Sequence, residues 1–213
     1  MLKRTERRVS IGVLFLAAML LDILLWVFVL LGLERVEVPP DFGRRHYLTF
    51  VFPYSHSLVG AVVVALIAGG LVALIRTSRN ARPSAAALAV ILAVMSHFVL
   101  DAIVHVPEMT LAGPGTLVFG LGLWNVMPVA LSLEVAIAAV GLVLYLRDAR
   151  LDRVRSAAAI GLVGVVAALT VAGGTLSPPP PSPAAAAVSS LVTIVLVVAA
   201  GFWIDAPRPV PPR

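Results

Sequence analysis

The chain contains no cysteine, which excludes disulfide frameworks, thiolate zinc sites, cysteine nucleophiles and iron–sulfur ligation at once. Charge is scarce too. Asp, Glu, Lys and Arg make up 13% of the 213 residues while 60% are hydrophobic, against about 25% charge in ordinary soluble domains. Too little polar surface remains to cover the apolar excess, and a mean hydropathy of +1.03 puts the chain in a lipid bilayer. No repeat with the period of about 20–50 residues that marks solenoids is visible. The net charge of +5 does not imply a nucleic-acid partner, because the basic residues lie in short segments between apolar runs, not on one folded face.

About 20 apolar residues span the hydrocarbon core as a helix. Six runs qualify: Ile11–Leu33, Ser55–Ile75, Ser84–His105, Leu117–Leu146, Ser156–Leu176 and Ala184–Ile204. The expected architecture is an all-α polytopic membrane bundle of six helices in a single integral membrane domain, residues 1–213. The fourth run is overlong and contains Pro128, which sits best in the first turn of a helix. Leu117–Met127 is therefore expected as a separate entry segment and Val129–Leu146 as the span. The first run continues for 23 residues after Lys3, Arg4, Arg7 and Arg8, too long for the apolar core of a secretory signal, and reads as a retained anchor.

Basic residues alternate in density from one connection to the next. Lys3, Arg4, Arg7, Arg8, Arg76, Arg79, Arg82, Arg147, Arg150, Arg153, Arg155, Arg208 and Arg213 fall on one side; only Arg35, Arg44 and Arg45 fall on the other. The positive-inside rule then puts both termini in the cytoplasm. Ser177–Pro183, SPPPPSP, is expected as a short, stiff, extended link on the outer side.

No ionisable residue lies between Ser156 and Ile204, so helices five and six read as scaffold; Gly161, Gly164, Gly173 and Gly174 read as packing positions. The region 11–146 differs. Asp22, His97, Asp101 and Glu134 fall inside spans, where a charge costs about 2.5–3.5 kcal/mol even on the mildest scale. In SHFVLDAIVH, His97, Asp101 and His105 recur every fourth residue and share one helical stripe about 80° wide and roughly 12 Å long. Imidazole and carboxylate on one stripe form a plausible ligand set for a hard or borderline cation.

His56 opens helix two in PYSHSL, where Ser55 can cap the helix. Glu134 and His97 fall at matching depth, and Asp22 joins them if helix one packs on helix three. His105, near a helix end, can be interfacial or ligating, and Asn125 can be a cap or a donor to the site. His46 reads as solvated, and Trp26 and Trp124 as an aromatic belt. Glu34, Arg35, Glu37, Asp41, Arg44 and Arg45 read as a wet loop of mixed sign.

The motifs PYSHSL (core Ser55–Leu58) and SHFVLD (Ser96–Asp101) resemble those of the membrane-bound metal-dependent hydrolases, small bacterial inner-membrane proteins with Ser/Thr-His-Ser-Leu opening one helix and Ser-His-x-x-Leu-Asp in the next. The similarity covers roughly Leu21–Glu134, and GLGLWN, Gly120–Asn125, resembles a subgroup with the same two motifs. Asp22 and Phe-Pro-Tyr stand where that family has an early His and an Arg-Gly pair. The resemblance implies His56, His97 and Asp101 as metal ligands and a multi-pass bacterial cytoplasmic-membrane protein.

The leading expectation is a hydrolase acting on a lipid-linked or membrane-delivered substrate. Its divalent metal, zinc first, is held by His56, His97 and Asp101, with His105 a further possible ligand. Asp22 or Glu134 completes the shell or acts as general base. Two other classes stand beside it. Buried Asp, Glu and His also build transporters and proton paths, although the chain lacks the inverted repeat such proteins often have. A non-catalytic scaffold would use the same pairs to fix helix packing.

Overall fold

The computed structural model describes residues 9–77, 83–149 and 151–206. Of the basic residues that set the expected topology, Lys3, Arg4, Arg7, Arg8, Arg79, Arg82, Arg150, Arg208 and Arg213 lie outside the described residues. The architecture is an all-α membrane bundle. Five helices are long and apolar enough to span: α4 (Leu58–Thr77), α5 (Pro83–Val104), α6 (Met127–Ala149), α7 (Arg153–Thr175) and α8 (Pro183–Ile204). A bent pair, α1 (Ile11–Ala18) and α2 (Leu20–Leu30), joined at Met19 with a 47° change of direction, makes a sixth span when the two are taken as one crossing. Large apolar side chains such as Leu66, Leu74, Leu144, Leu169 and Leu196 are exposed along these helices, the surface that lipid would cover.

Helix starts are set by short polar side chains that take up orphan N–H groups. Ser10 accepts from Val13 N–H, Asp152 from Arg155 N–H and Ser182 from Ala185 N–H, with Pro183 at the first position of α8. Pro128 falls in the first turn of α6, as expected from its fixed φ. At the start of α4 the cap is Ser57, whose Oγ accepts from Gly60 N–H at 3.0 Å. Ser55, expected in that role, is engaged elsewhere.

The connections at one end of the bundle are folded, and they cover the polar residues. Strand β1 (Arg35–Glu37) pairs antiparallel with β2 (Thr49–Val51), with the one-turn α3 (Phe42–Arg45) between them. Strand β3 (Met109–Thr110) pairs with β4 (Val118–Phe119), and a 3-10 turn, Leu123–Val126, leads into α6. The expected entry segment Leu117–Met127 is therefore β4 plus this turn. Its glycines are required: a Cβ on Gly120 would collide with the His105 and Val106 carbonyls, and Gly122 (φ 72°) donates its N–H to the His105 carbonyl at 2.8 Å. The chain thus crosses the end of α5 at backbone distance.

At the opposite end, Asp205 accepts from Ile11 N–H and from Tyr145 O–H, both at 2.6 Å, and Arg155 donates to the Ala206 carbonyl. Within the bundle α4 packs on α5, α1 on α5 and α8, α2 on α8, and α6 on α7. The core runs through Leu21, Leu25, Ala61, Ala65, Val90, Val94, Ala187 and Ile194, so helix one is the element that joins α5 to α8.

Candidate metal centre

Three segments converge beneath the folded end. Asp22 comes from the first turn of α2, a position the break at Met19 makes favourable for a carboxylate. His56 comes from the turn before α4, and His97 and Asp101 from the end of α5, one helical turn apart. His56 Nε2 lies 3.1 Å from Asp101 Oδ2 and 3.6 Å from Asp22 Oδ1. His97 Nε2 lies 3.0 Å and 3.5 Å from the same two oxygens. One donor atom from each of Asp22, His56 and His97 falls within 4.8 Å of the others, a group that can hold a metal ion.

Whether these residues fit a cation is decided by how their lone pairs are spent. His97 Nε2 and Asp101 Oδ2 are buried and form no hydrogen bond, although only 3.0 Å separates them. Orphaned buried polar atoms cost about 1–3 kcal/mol each. Left without a hydrogen-bond partner, both atoms keep lone pairs that a cation would take up. A tetrahedral site with bonds of about 2.0–2.2 Å has ligand edges of about 3.3–3.6 Å; the separations of Asp22 from His56 and His97, 3.6 and 3.5 Å, fall in that range, while those of Asp101, 3.1 and 3.0 Å, are shorter.

Behind His56 lies a second layer. Glu34 is 2% exposed and its carboxylate accepts from Tyr54 N–H (2.9 Å), Ser55 N–H (2.8 Å) and Ser55 Oγ–H (2.7 Å). Ser55 Oγ also lies 2.8 Å from His56 Nδ1. A hydroxyl has one proton, and an ionised carboxylate can only accept. Given to Glu34, that proton leaves Ser55 Oγ to accept from His56 Nδ1–H. The network therefore assigns the tautomer in which His56 Nε2 carries a lone pair toward Asp22 and Asp101.

Glu34 corrects the expectation of a wet loop. Only part of that loop is solvated: Asp41 pairs with Arg44 (2.9 Å) and Arg45 (2.6 Å) at the surface, and these contacts, Arg44 first, hold its carboxyl below the usual carboxylate value. No sequence pattern separates Glu34 from the exposed Glu37.

His105 is not in the cluster. Helix α5 ends at Val104; the His105 N–H still donates to the Asp101 carbonyl at 2.8 Å, so its place on the stripe is kept while its ring takes other partners. Instead His105 Nδ1 lies 2.6 Å from Glu108 Oε1, while Glu108 Oε2 accepts from Phe50 N–H at 2.9 Å. Its ring packs on Trp124 at 4.1 Å between centroids and against Phe50 and Phe52. Trp124, expected only as belt, thus forms a wall of the site. Asn125 Oδ1 accepts from Tyr47 O–H at 3.0 Å, and His46, expected solvated, has its Nδ1 buried without a hydrogen-bond partner.

Glu134 is half-buried and faces Trp124 in a neighbouring cavity. It lies apart from the imidazoles because α6 packs on α7 and on the Leu123–Val126 turn. A cavity of about 400 Å³ opens beside the cluster, lined by Asp22, His56, Asp101, His105, Trp26 and Trp124 together with Ser189, Ser190 and Thr193 of α8. Helix six, expected as scaffold alone, therefore supplies hydroxyls to this chamber.

Comparison of the chain with family models, with curated proteins and with solved structures finds no match in any of the three. What the fold and site define is a multi-pass membrane protein with a buried His/Asp group able to hold a metal ion.

Proposed function

We propose that this protein is a membrane-embedded metal-dependent hydrolase whose substrate is lipid-linked or delivered from the membrane. The observation that carries the reading is the convergence of two imidazole nitrogens and two carboxylate oxygens at 3.0–3.6 Å, with His97 Nε2 and Asp101 Oδ2 left free of hydrogen bonds. The resemblance of PYSHSL and SHFVLD to the membrane-bound metal-dependent hydrolases supports it independently. His56, His97 and Asp101 would hold a divalent ion, and this nitrogen and oxygen donor set makes zinc the first choice. Such an ion acidifies water and polarises a carbonyl or phosphoryl oxygen.

The chain's own residues divide the remaining work. Asp22, whose side chain is 29% exposed against 15% for Asp101 and 2% for His56, is the member best placed to act as ligand or general base. Glu134 lines the neighbouring cavity instead. Ser189, Ser190 and Thr193 offer hydroxyls for orienting a polar substrate. The site sits at the end of the bundle opposite Arg76, Arg147, Arg153 and Arg155, which by the positive-inside rule is the outer face, in a bacterial inner membrane if the resemblance holds.

The test is elemental analysis of the purified protein after zinc loading. One ion per chain is expected, with a large loss in His97→Ala and Asp101→Asn. Zinc at about 100 times its Kd should also stabilise the wild type by about 2.7 kcal/mol and leave His97→Ala unaffected. Wild-type protein without stoichiometric metal, or variants that bind as the wild type does, would remove the proposal.

A further inference from the structure

A second cavity, about 380 Å³ in volume, adjoins the chamber beside the His/Asp cluster. Phe50 and Trp124 line both, so these two side chains stand between them, at the neck through which the cavities would join. Beyond the neck the walls are apolar, built largely by Met127 and Leu131 of α6 and by Gly173 and Gly174 of α7. Met127 and Leu131 lie in the first two turns of α6, and Gly173 and Gly174 in the last turn of α7, so this part of the cavity opens between the outer ends of two spanning helices, next to Ser177, Pro178 and Pro180 of the connection. Glu134 is the one carboxylate among the lining residues, and it faces Trp124. The cavity therefore has a polar end at the neck and an apolar end between α6 and α7.

Apolar walls offer water few partners, whereas each methylene they bury is worth about 0.8 kcal/mol, so two correspond to roughly a tenfold gain in affinity. The absence of side chains at Gly173 and Gly174 creates the space. A Cβ on Gly173 would meet nothing within 4 Å, while one on Gly174 would already press on Leu131 and Met127 at 3.1 Å.

We propose that this α6–α7 cavity receives the single hydrocarbon chain of an amphiphilic substrate, whose polar group lies across the Phe50–Trp124 neck in the chamber containing Asp22, His56 and Asp101. The inference rests on the hydrolase reading for the term substrate, and it adds where the chain of that substrate is held.

The experiment uses the full chain in nanodiscs and palmitoyl lysophosphatidylcholine with a diazirine at the chain end, followed by photolabelling and peptide mapping. Saturable labelling of the peptides carrying Met127–Leu131 and Gly173–Gly174 is expected. Gly173→Phe, which fills the cavity from open space, should lower it by at least about tenfold. Gly164→Phe adds the same bulk on the exposed part of α7, again with nothing within 4 Å of its Cβ, and should leave labelling unchanged. Labelling that does not saturate, or that is indifferent to Gly173→Phe, overturns the proposal. Zinc stoichiometry measured on the same samples reports separately on the hydrolase reading, since Gly173 lies outside the His/Asp cluster.

Discussion

Ser55 Oγ stands 2.8 Å from His56 Nδ1 and donates its O–H hydrogen bond to Glu34 Oε2 at 2.7 Å, so a buried carboxylate outside the cluster decides which nitrogen of His56 is free. Replacing Glu34 by Gln keeps the size and reverses the polarity. The amide oxygen can still accept the Tyr54 and Ser55 N–H groups, but its NH₂ now donates to Ser55 Oγ. The hydroxyl proton then turns to His56 Nδ1, and Nε2 becomes an N–H that cannot bind metal. Both Glu34→Gln and Ser55→Ala are expected to weaken zinc binding by about 10–100-fold, the usual effect of removing a partner of a ligating histidine. Chelator competition on folded protein measures it. A fall in the thermal stability of metal-free Glu34→Gln with unchanged zinc affinity would show that Glu34 only braces the loop.

The sequence carried more of the spans than of the site. Spans are readable because lipid demands about 20 apolar residues in a row whatever the tertiary contacts. The break at Met19 was not, since neither proline nor glycine marks it; it appears where α1 and α2 each pack on α8 and α5. His97 and Asp101 were legible because one unbroken helix fixes their relative direction. His105 keeps the helical register, its N–H bonded to the Asp101 carbonyl, but its imidazole is held by Glu108, which lies beyond the helix. Glu134 had the right depth and the wrong direction, as depth follows from residue count whereas azimuth depends on which neighbours a helix finds. Glu34 and Glu108 belong to loops; Glu34 finds Ser55 21 residues away and Glu108, besides the nearby His105, finds Phe50 N–H 58 residues away, contacts beyond the reach of any local pattern.

Helix one holds its place against α8 by backbone contact, and this is testable through Gly12. A Cβ there would fall 2.5 Å from Phe202 Cγ and 2.6 Å from Phe202 N, and one on Gly201 would fall 3.1 Å from Gly12 Cα. Backbone nitrogen cannot move aside as a flexible side chain can. Gly12→Leu should therefore push α1 from α8 and destabilise the protein by about 1–3 kcal/mol, the range for overpacking. Because α8 also lines the chamber through Ser189, Ser190 and Thr193, zinc binding should weaken in the same variant. Thermal unfolding with and without zinc checks both effects; a variant as stable as the wild type would mean that these helices separate without cost.

Orientation in the membrane follows from the same asymmetry that places the site, and the lack of cysteine makes it simple to measure, since single-cysteine variants need no background substitutions. Arg44, in the folded connections that cover the cluster, has a side chain that is 82% exposed. Arg153 begins α7 at the other end of the bundle, near the Asp205 hydrogen bonds that tie α1 to α8. By the positive-inside rule the excess of Lys and Arg around that second end leads us to expect it in the cytoplasm. In intact cells a membrane-impermeant maleimide is expected to label Arg44→Cys, and to label Arg153→Cys only after lysis. The reverse pattern would put the His/Asp chamber at the cytoplasmic surface, and the substrate would then have to be sought among cytoplasmic-leaflet amphiphiles.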